Sequence, residues 1–215
     1  MKPAFAAALL LLLPLAGCSS AYYGAMEKFG VAKRDILAER VEKTREAQTE
    51  AKQQFTDALQ RFLAVTKAEG GDLQRKYEDM SKEFTRSEER AKEVNTRIAS
   101  VEDVAEALFR EWKEELGKYA NASLRSDSQR QLDLTRRRYD AMIGLMKRAA
   151  QRMDPILATF RDQVLFLKHN LNARALAQLD TTHRTLEADI SRLISDMETS
   201  IREAENFIRD LKSGT

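Results

Sequence analysis

Apolar side chains recur along most of this chain at alternating steps of four and three residues, the spacing of α-helices that pack through one apolar stripe. The clearest seam runs without interruption from Leu73 to Trp112. A second seam, from Leu37 to Val65, carries the polar residues Thr44 and Gln48 in its middle. The pattern therefore predicts long helices that bury one face, with a weaker central stretch in the first of them.

Two more seams follow in the second half of the chain. The third, Leu132–Phe160, stays in phase through Pro155, which favours a kinked helix over a restart with Asp154 as its cap. The fourth reads as one stripe over Leu176–Ile190 and another over Ile194–Leu211, offset by one position. Such an offset resembles a stutter, which locally unwinds a supercoil.

Glycines, caps and turn residues divide these seams into four predicted helices. Gly70 and Gly71 end the first, and Asp72 offers an N-cap to the second. We place the break between the third and fourth helices at Asn170–Asn172, with 180–182 as the alternative. The predicted helices cover about 25–69, 72–119, 124–170 and 172–212.

The similar helix lengths predict an all-α fold, an elongated antiparallel bundle or coiled coil of about four long helices. A slender pair of coiled hairpins is the competing layout. The broad apolar patch near His169 favours packing into a bundle, and the polar seam positions favour closure within one chain. A homo-oligomer remains a possible arrangement.

Composition agrees with a helical protein: charged residues make up 33% of the chain, and only Pro155 of its three prolines follows residue 17. The formal net charge is +2, which gives no argument for a nucleic-acid partner. We therefore expect none.

The N-terminus has the three parts of an export signal: Lys2, an apolar run over 4–15, and the small residues Ala16 and Gly17. These residues precede Cys18, the only cysteine, and resemble the lipobox of bacterial lipoproteins, in which that cysteine is acylated. The apolar run is too short to span a bilayer, which needs roughly 20 residues. We predict a signal peptide at 1–17, a lipidated tether at 18–24 and one helical bundle at 25–215.

Ser19 follows the cysteine, whereas aspartate at this position commonly retains similar Gram-negative lipoproteins in the inner membrane. This resemblance implies an outer-membrane protein, anchored by lipid and facing the periplasm.

Catalytic chemistry finds little support. The chain has no Glu-x-x-His pair of the kind that builds metal centres in helical bundles, and its only histidines are His169 and His183. Neither a nucleophile elbow nor a glycine-rich phosphate loop occurs. We therefore expect no enzyme activity, no cofactor and no metal site.

A basic cluster, Arg136, Arg137 and Arg138, lies on the third helix, while the second helix is rich in glutamate and aspartate. If the two helices are neighbours, these charges complement each other across the interface. The alternative is an anionic surface partner such as lipid headgroups or wall peptide carboxylates. The complementary pairing is the preferred interpretation.

Three strings, Cys18–Tyr23, Glu27–Leu37 and Leu167–Ala173, resemble an uncharacterised bacterial lipoprotein family known only as a domain of unknown function. The resemblance covers the mature chain and implies a lipoprotein with coiled-coil character, without catalytic residues. Its Lys-His-Asn-Leu-Asn string marks His169, Asn170 and Asn172 as candidates for a functional or topological role, helix capping being the preferred one.

These features together predict a lipid-anchored, non-enzymatic envelope protein with a structural or interaction role in the periplasm. It would dock a membrane-associated protein or a cell-wall partner. The alternative function is a metal- or small-ligand-binding bundle that uses His169 and His183.

Overall fold

The computed structural model describes Tyr23 and residues 32–67, 72–170 and 183–213. In this part of the chain the backbone forms four long α-helices and no strand. They are α1 (Lys33–Lys67), α2 (Leu73–Leu116), α3 (Ala122–His169) and α4 (His183–Ser213). The predicted all-α bundle is confirmed, and none of these helices is long and apolar enough to cross a membrane.

Each helix packs against the next along the chain, and α4 closes the ring by packing against α1. Ion pairs across the interfaces join rising residue numbers on one helix to falling numbers on its neighbour, so all four neighbouring pairs are antiparallel. Such pairs are Lys33–Glu111 and Arg61–Asp79 between α1 and α2, Lys147–Glu102 and Arg161–Glu88 between α2 and α3, Arg152–Asp196 and Arg138–Asp210 between α3 and α4, and Arg45–Glu205 and Lys52–Glu198 between α4 and α1.

The predicted seams of the first three helices form the core. Every position of the α1 seam is buried, including Thr44 and Gln48. In α2 and α3 the seam is buried along its middle and half-exposed at a few positions, such as Leu73 and Trp112. The interior closes within a single chain, as the polar seam positions favoured.

The predicted stutter in α4 is wrong. Leu193, Ser200 and Phe207 are buried, whereas Ile194 and Ile201 are only half-buried, so the seam keeps its four-three order along the helix. The sequence pattern did not assign Ser200 to the seam, because serine is not expected at a core position. With Ser200 buried, the four-three spacing of seam positions continues through this part of α4.

Helix ends differ modestly from the prediction. Asp72 caps α2 as expected, with its Oδ1 accepting a hydrogen bond from the Arg75 amide at 3.1 Å. α2 stops at Leu116 rather than near residue 119, because the chain turns at Gly117, whose amide binds the Glu114 carbonyl. The cap of α3 is Asn121, whose Oδ1 accepts hydrogen bonds from the backbone amides of Ser123 and Leu124. This helix therefore begins at residue 122, two residues before the predicted start.

α3 continues through Pro155 and ends at His169, so the preferred position of the third break, near Asn170, is confirmed. The start predicted for the first helix and the segment at 171–182 lie outside the described residues. The described part of α4 begins at His183.

Candidate functional site

Tyr23, ten residues before α1, is packed into the bundle and is only 1% exposed. Its hydroxyl donates a hydrogen bond to Asp103 on α2 and accepts one of 2.8 Å from Arg40 on α1. The Arg40 guanidinium also donates to the Ser100 carbonyl at 2.8 Å and lies 5.5 Å from the centre of the Tyr23 ring. We call Tyr23, Arg40 and Asp103 the Tyr23 clamp.

The clamp joins a phenol, a guanidinium and a carboxylate between α1 and α2. Burial, followed by the hydrogen bond to Asp103, raises the pKa of the Tyr23 phenol to about 12. The phenol therefore stays neutral at physiological pH and donates its proton to the carboxylate. Such an arrangement fastens Tyr23 to α1 and α2 through its hydroxyl.

This burial changes the interpretation of the tether predicted at 18–24. Tyr23 belongs to the folded body, although the sequence pattern placed it before the bundle. Cys18, the predicted lipidation site, lies outside the described residues and precedes Tyr23 by five positions. The stretch between that cysteine and the first buried side chain among the described residues is therefore five residues long.

The other end of the bundle holds the histidines. His169 is exposed on the last turn of α3, and Asn170 caps that helix through hydrogen bonds from its amide to Leu167 and from its side chain to Phe166. Capping is thus confirmed as the role of Asn170. Asn172 and the side chain of His183 lie outside the described residues.

Metal chemistry gains no support from this end. Across the residues that the structure describes, no three histidine, cysteine, aspartate or glutamate side chains gather in a cluster that could hold an ion. His169 and His183 do lie at the same end of two adjacent helices.

The basic cluster on α3 divides into three different environments. Arg136 lies over the Phe109 ring at 5.4 Å, and Arg138 pairs with Asp210 on α4 at 3.1 Å. Arg137 is exposed and forms no ion pair with another described residue. The cluster is therefore not one anion-binding surface, because two of its members serve the packing of the bundle.

Ion pairs between α2 and α3 occur at Lys147 and Arg161, which lie outside the Arg136–Arg138 cluster. Lys147 and Arg161 on α3 reach Glu102 and Glu88 on α2 at 2.7 and 2.8 Å. These pairs are well exposed, and such pairs contribute between 0 and about 1 kcal/mol each. Their main effect is to select which helices become neighbours.

A polar layer crosses the middle of the core between α1 and α4. The Ser200 hydroxyl donates to Gln48 Oε1 at 3.0 Å, and both side chains are fully buried. The Gln48 Nε2 has no hydrogen-bond partner among the described residues. A buried amide group without a partner lowers the stability of the fold. The hydrogen bond between Gln48 and Ser200 defines the register of the two helices at that cost.

A cleft of about 220 Å³ opens at the end of the bundle where α1 begins. Trp112, Phe207 and Leu211 form its apolar wall, and Arg34 and Arg138 line its polar side. The Trp112 indole is held by a 2.9 Å hydrogen bond to Ser128 on α3. The cleft is small and open, and its guanidinium groups favour an anion over a cation.

Sequence reasoning missed the Tyr23 clamp. The only local signal was an aromatic pair, Tyr22 and Tyr23, placed before the helical pattern begins. Arg40 and Asp103 gave no signal because charged residues are expected on the outer faces of such helices. The contact joins residues that are 80 positions apart, so periodicity along one helix does not reveal it.

The family resemblance is confirmed by comparison with known proteins. The chain belongs to a family described as a protein of unknown function (DUF2959), which matches residues 22–211. The match begins one residue before Tyr23 and ends at the last buried residue of α4, Leu211. Searches of curated proteins and of solved structures found no match.

Proposed function

We propose that this DUF2959 protein is a lipid-anchored, non-enzymatic component of the bacterial envelope, exported to the outer membrane and facing the periplasm. In this proposal acyl chains on Cys18 hold the helical bundle at the bilayer. The bundle presents its surface to a membrane-associated protein or a cell-wall partner.

The observation that carries the proposal is the short distance along the chain between Cys18 and Tyr23. The first buried side chain among the described residues, Tyr23, comes five residues after the cysteine, so the described body lies close to the lipobox along the chain. Acyl chains hold a protein more firmly as their number rises, since each buried methylene contributes about 0.8 kcal/mol. A cysteine with two or more chains would give an attachment that resists washing.

The shape of the bundle supports a spacer or docking role. α3 has 48 residues, which corresponds to a rod of about 70 Å at 1.5 Å per residue. The end opposite the Tyr23 clamp exposes Leu165 and His169, which are one helical turn apart on α3. This far end is the surface that we expect to reach a partner.

Membrane retention tests the anchor. The wild-type chain and a Cys18→Ser variant are expressed in a Gram-negative host, and the membranes are washed with high salt. We expect the wild type to stay with the outer membrane and the variant to be released or to remain unprocessed. A Ser20→Ala variant, altered beside the cysteine, serves as the matched control and should behave as the wild type.

Equal retention of the wild type and the Cys18→Ser variant would contradict the proposal. Docking at the far end is tested separately by placing a photo-crosslinking residue at Leu165 or, as a control, at the exposed Ala141 in the middle third of α3. A partner captured from Leu165 but not from Ala141 supports docking there. Equal capture from both positions, or from neither, would contradict it.

A further inference from the structure

The turn between α2 and α3 exposes large apolar side chains to solvent. Among the described residues, three large hydrophobic side chains are exposed, and two of them, Tyr119 at 42% and Leu124 at 55%, flank this turn. Neither belongs to the core, although the core residue Leu116 lies three positions before Tyr119 and the core residue Leu132 eight positions after Leu124. An exposed aromatic beside an exposed leucine at the tip of a rod marks a surface that meets another phase or molecule.

Cations accompany these side chains. Lys118 precedes Tyr119, Arg125 follows Leu124, and neither cation forms an ion pair with another described residue. Tyrosine is enriched at membrane interfaces, and lysine and arginine near a membrane are attracted to anionic headgroups. We call Lys118, Tyr119, Leu124 and Arg125 the turn surface. Glu114 and Glu115 in the last turn of α2 partly offset its charge, so apolar contact is its larger contribution.

The position of the Tyr23 clamp limits which part of the bundle can approach a bilayer. Five residues extend over at most about 18 Å, at 3.6 Å each. The clamp meets α2 at Asp103, which is thirteen residues, or about 20 Å, from the end of the helix at Leu116. On α1 the opposite end at Lys67 is about 40 Å from Arg40, beyond the reach of the tether.

We infer that the turn surface contacts the lipid bilayer and that the bundle stands on this end, with Tyr119 and Leu124 at the level of the headgroups. The inference rests on the proposed lipid anchor at Cys18. The tether length and the exposed apolar residues point to the same end of the rod. The lipid chains and the turn surface would then form two contacts that hold the axis away from the membrane plane.

A bundle lying flat on its α1–α2 flank would also satisfy the tether, but this flank offers less apolar contact. Within the described residues, neither α1 nor α2 exposes a large apolar side chain, whereas the turn surface exposes Tyr119 and Leu124. The turn surface also brings Lys118 and Arg125 to anionic headgroups. The upright orientation is therefore the one that we test.

Depth-dependent fluorescence quenching distinguishes the orientations. The full lipidated chain is incorporated into phosphatidylethanolamine and phosphatidylglycerol vesicles that contain lipids spin-labelled near the headgroup. Because Cys18 is the only native cysteine and is acylated in the proposal, a cysteine introduced at Ala122 or at Lys168 is the sole free thiol for a fluorophore. Both positions are exposed and lie at opposite ends of α3. We expect several-fold stronger quenching at position 122 than at position 168.

Substitutions at the turn provide a second measurement. A double Tyr119→Ser and Leu124→Ser variant should lower quenching at position 122. Leu165→Ser, which alters the third exposed apolar residue about 60 Å away along α3, should leave it unchanged. All three substitutions are at exposed sites, and circular dichroism verifies that the helices remain folded.

Each contrary result has a distinct meaning. Quenching that is equal at both positions would show a flat bundle and overturn the inference, as would quenching at neither position. Self-quenching of the fluorophore at position 122 without lipid quenching would show that the turn meets a second copy of the chain, which also overturns it. Failure of the anchor itself appears separately, as a reactive thiol at Cys18 and a chain that does not enter the vesicles.

Discussion

Two sections of the same closed core use opposite chemistry. Near the Tyr23 clamp, three rings from three helices meet, with centroids 5.4 Å apart for Phe109 and Tyr139 and 6.3 Å apart for Tyr139 and Phe207. In the middle of the bundle, Gln48 and Ser200 meet through one hydrogen bond. The first section is stabilised by its buried apolar area. The second lowers stability, because it buries polar groups, and fixes how α1 and α4 align.

This contrast shows why the two sections respond differently to the loss of one side chain. Removing a ring leaves a cavity that the remaining rings do not fill. Removing one polar partner leaves the other buried without a hydrogen bond, while removing both leaves an ordinary apolar layer. The following changes test the contrast in order of decreasing effect on the free energy of unfolding.

Phe207→Ala should have the largest effect. Phe207 is 3% exposed and contacts the Tyr139 ring, and truncation of a buried phenylalanine costs about 3–5 kcal/mol. Denaturant unfolding followed by circular dichroism measures the loss. Leu165→Ala removes an apolar side chain that is 47% exposed and should be close to neutral. Similar losses in the two variants would show that the ring section does not carry the stability we assign to it.

Ser200→Ala should come next, at about 2 kcal/mol, because it leaves the whole Gln48 amide buried without a partner. The double variant Gln48→Leu and Ser200→Ala should recover most of this loss. The same unfolding measurement on both singles and the double forms a double-mutant cycle. If the losses simply add, the two side chains do not form the coupled layer described here.

Tyr23→Phe should cost about 1 kcal/mol, since it removes hydrogen bonds to charged groups that are themselves partly exposed. Its effect depends on pH in a defined direction. The folded chain raises the pKa of this phenol from 10.0 to about 12, so the stabilisation is complete below pH 10 and is lost as the pH rises towards 12. Unfolding of the wild type and the variant across this range should converge. A constant difference would show that the phenol is not the titrating group.

Arg138→Ala should have the smallest effect, about 0.5 kcal/mol, because Arg138 and Asp210 are a half-exposed ion pair across α3 and α4. Arg137→Ala, at the neighbouring exposed position, should change stability less than this. Thermal unfolding at low and high salt separates the two, since only the Arg138 contribution is expected to fall with salt. An equal response of both variants would contradict the division of the arginine cluster.

The fold could be predicted from the sequence where each helix keeps a simple seam. The α1 seam was placed correctly even through Thr44 and Gln48, because the four-three spacing continued on both sides of them. In α4 the same logic failed at Ser200, because the adjacent apolar residue Ile201 offered a false seam position. A buried polar pair between helices is visible only once both helices have been placed.

In the candidate site, too, the sequence predicted only those roles that depend on residues close together along the chain. Asn170 was recognised as a cap because capping depends on residues within one turn. The Tyr23 clamp depends on Arg40 and Asp103, whose charges resemble those of any solvent-facing position. The basic cluster was likewise assigned as a unit, although each arginine meets a different neighbouring helix or solvent. Contacts between distant segments, rather than residue types, decide these roles.

The central claim is that Cys18 is the lipid-bearing N-terminus of a bundle whose first described buried residue is Tyr23. Intact-mass and N-terminal peptide mass spectrometry of the protein purified from envelopes tests it most directly. We expect a mature chain that begins at Cys18 and carries a diacylglyceryl group, usually with a further amide-linked acyl chain. A mature chain that begins elsewhere, or that carries an unmodified Cys18 thiol, would contradict the account.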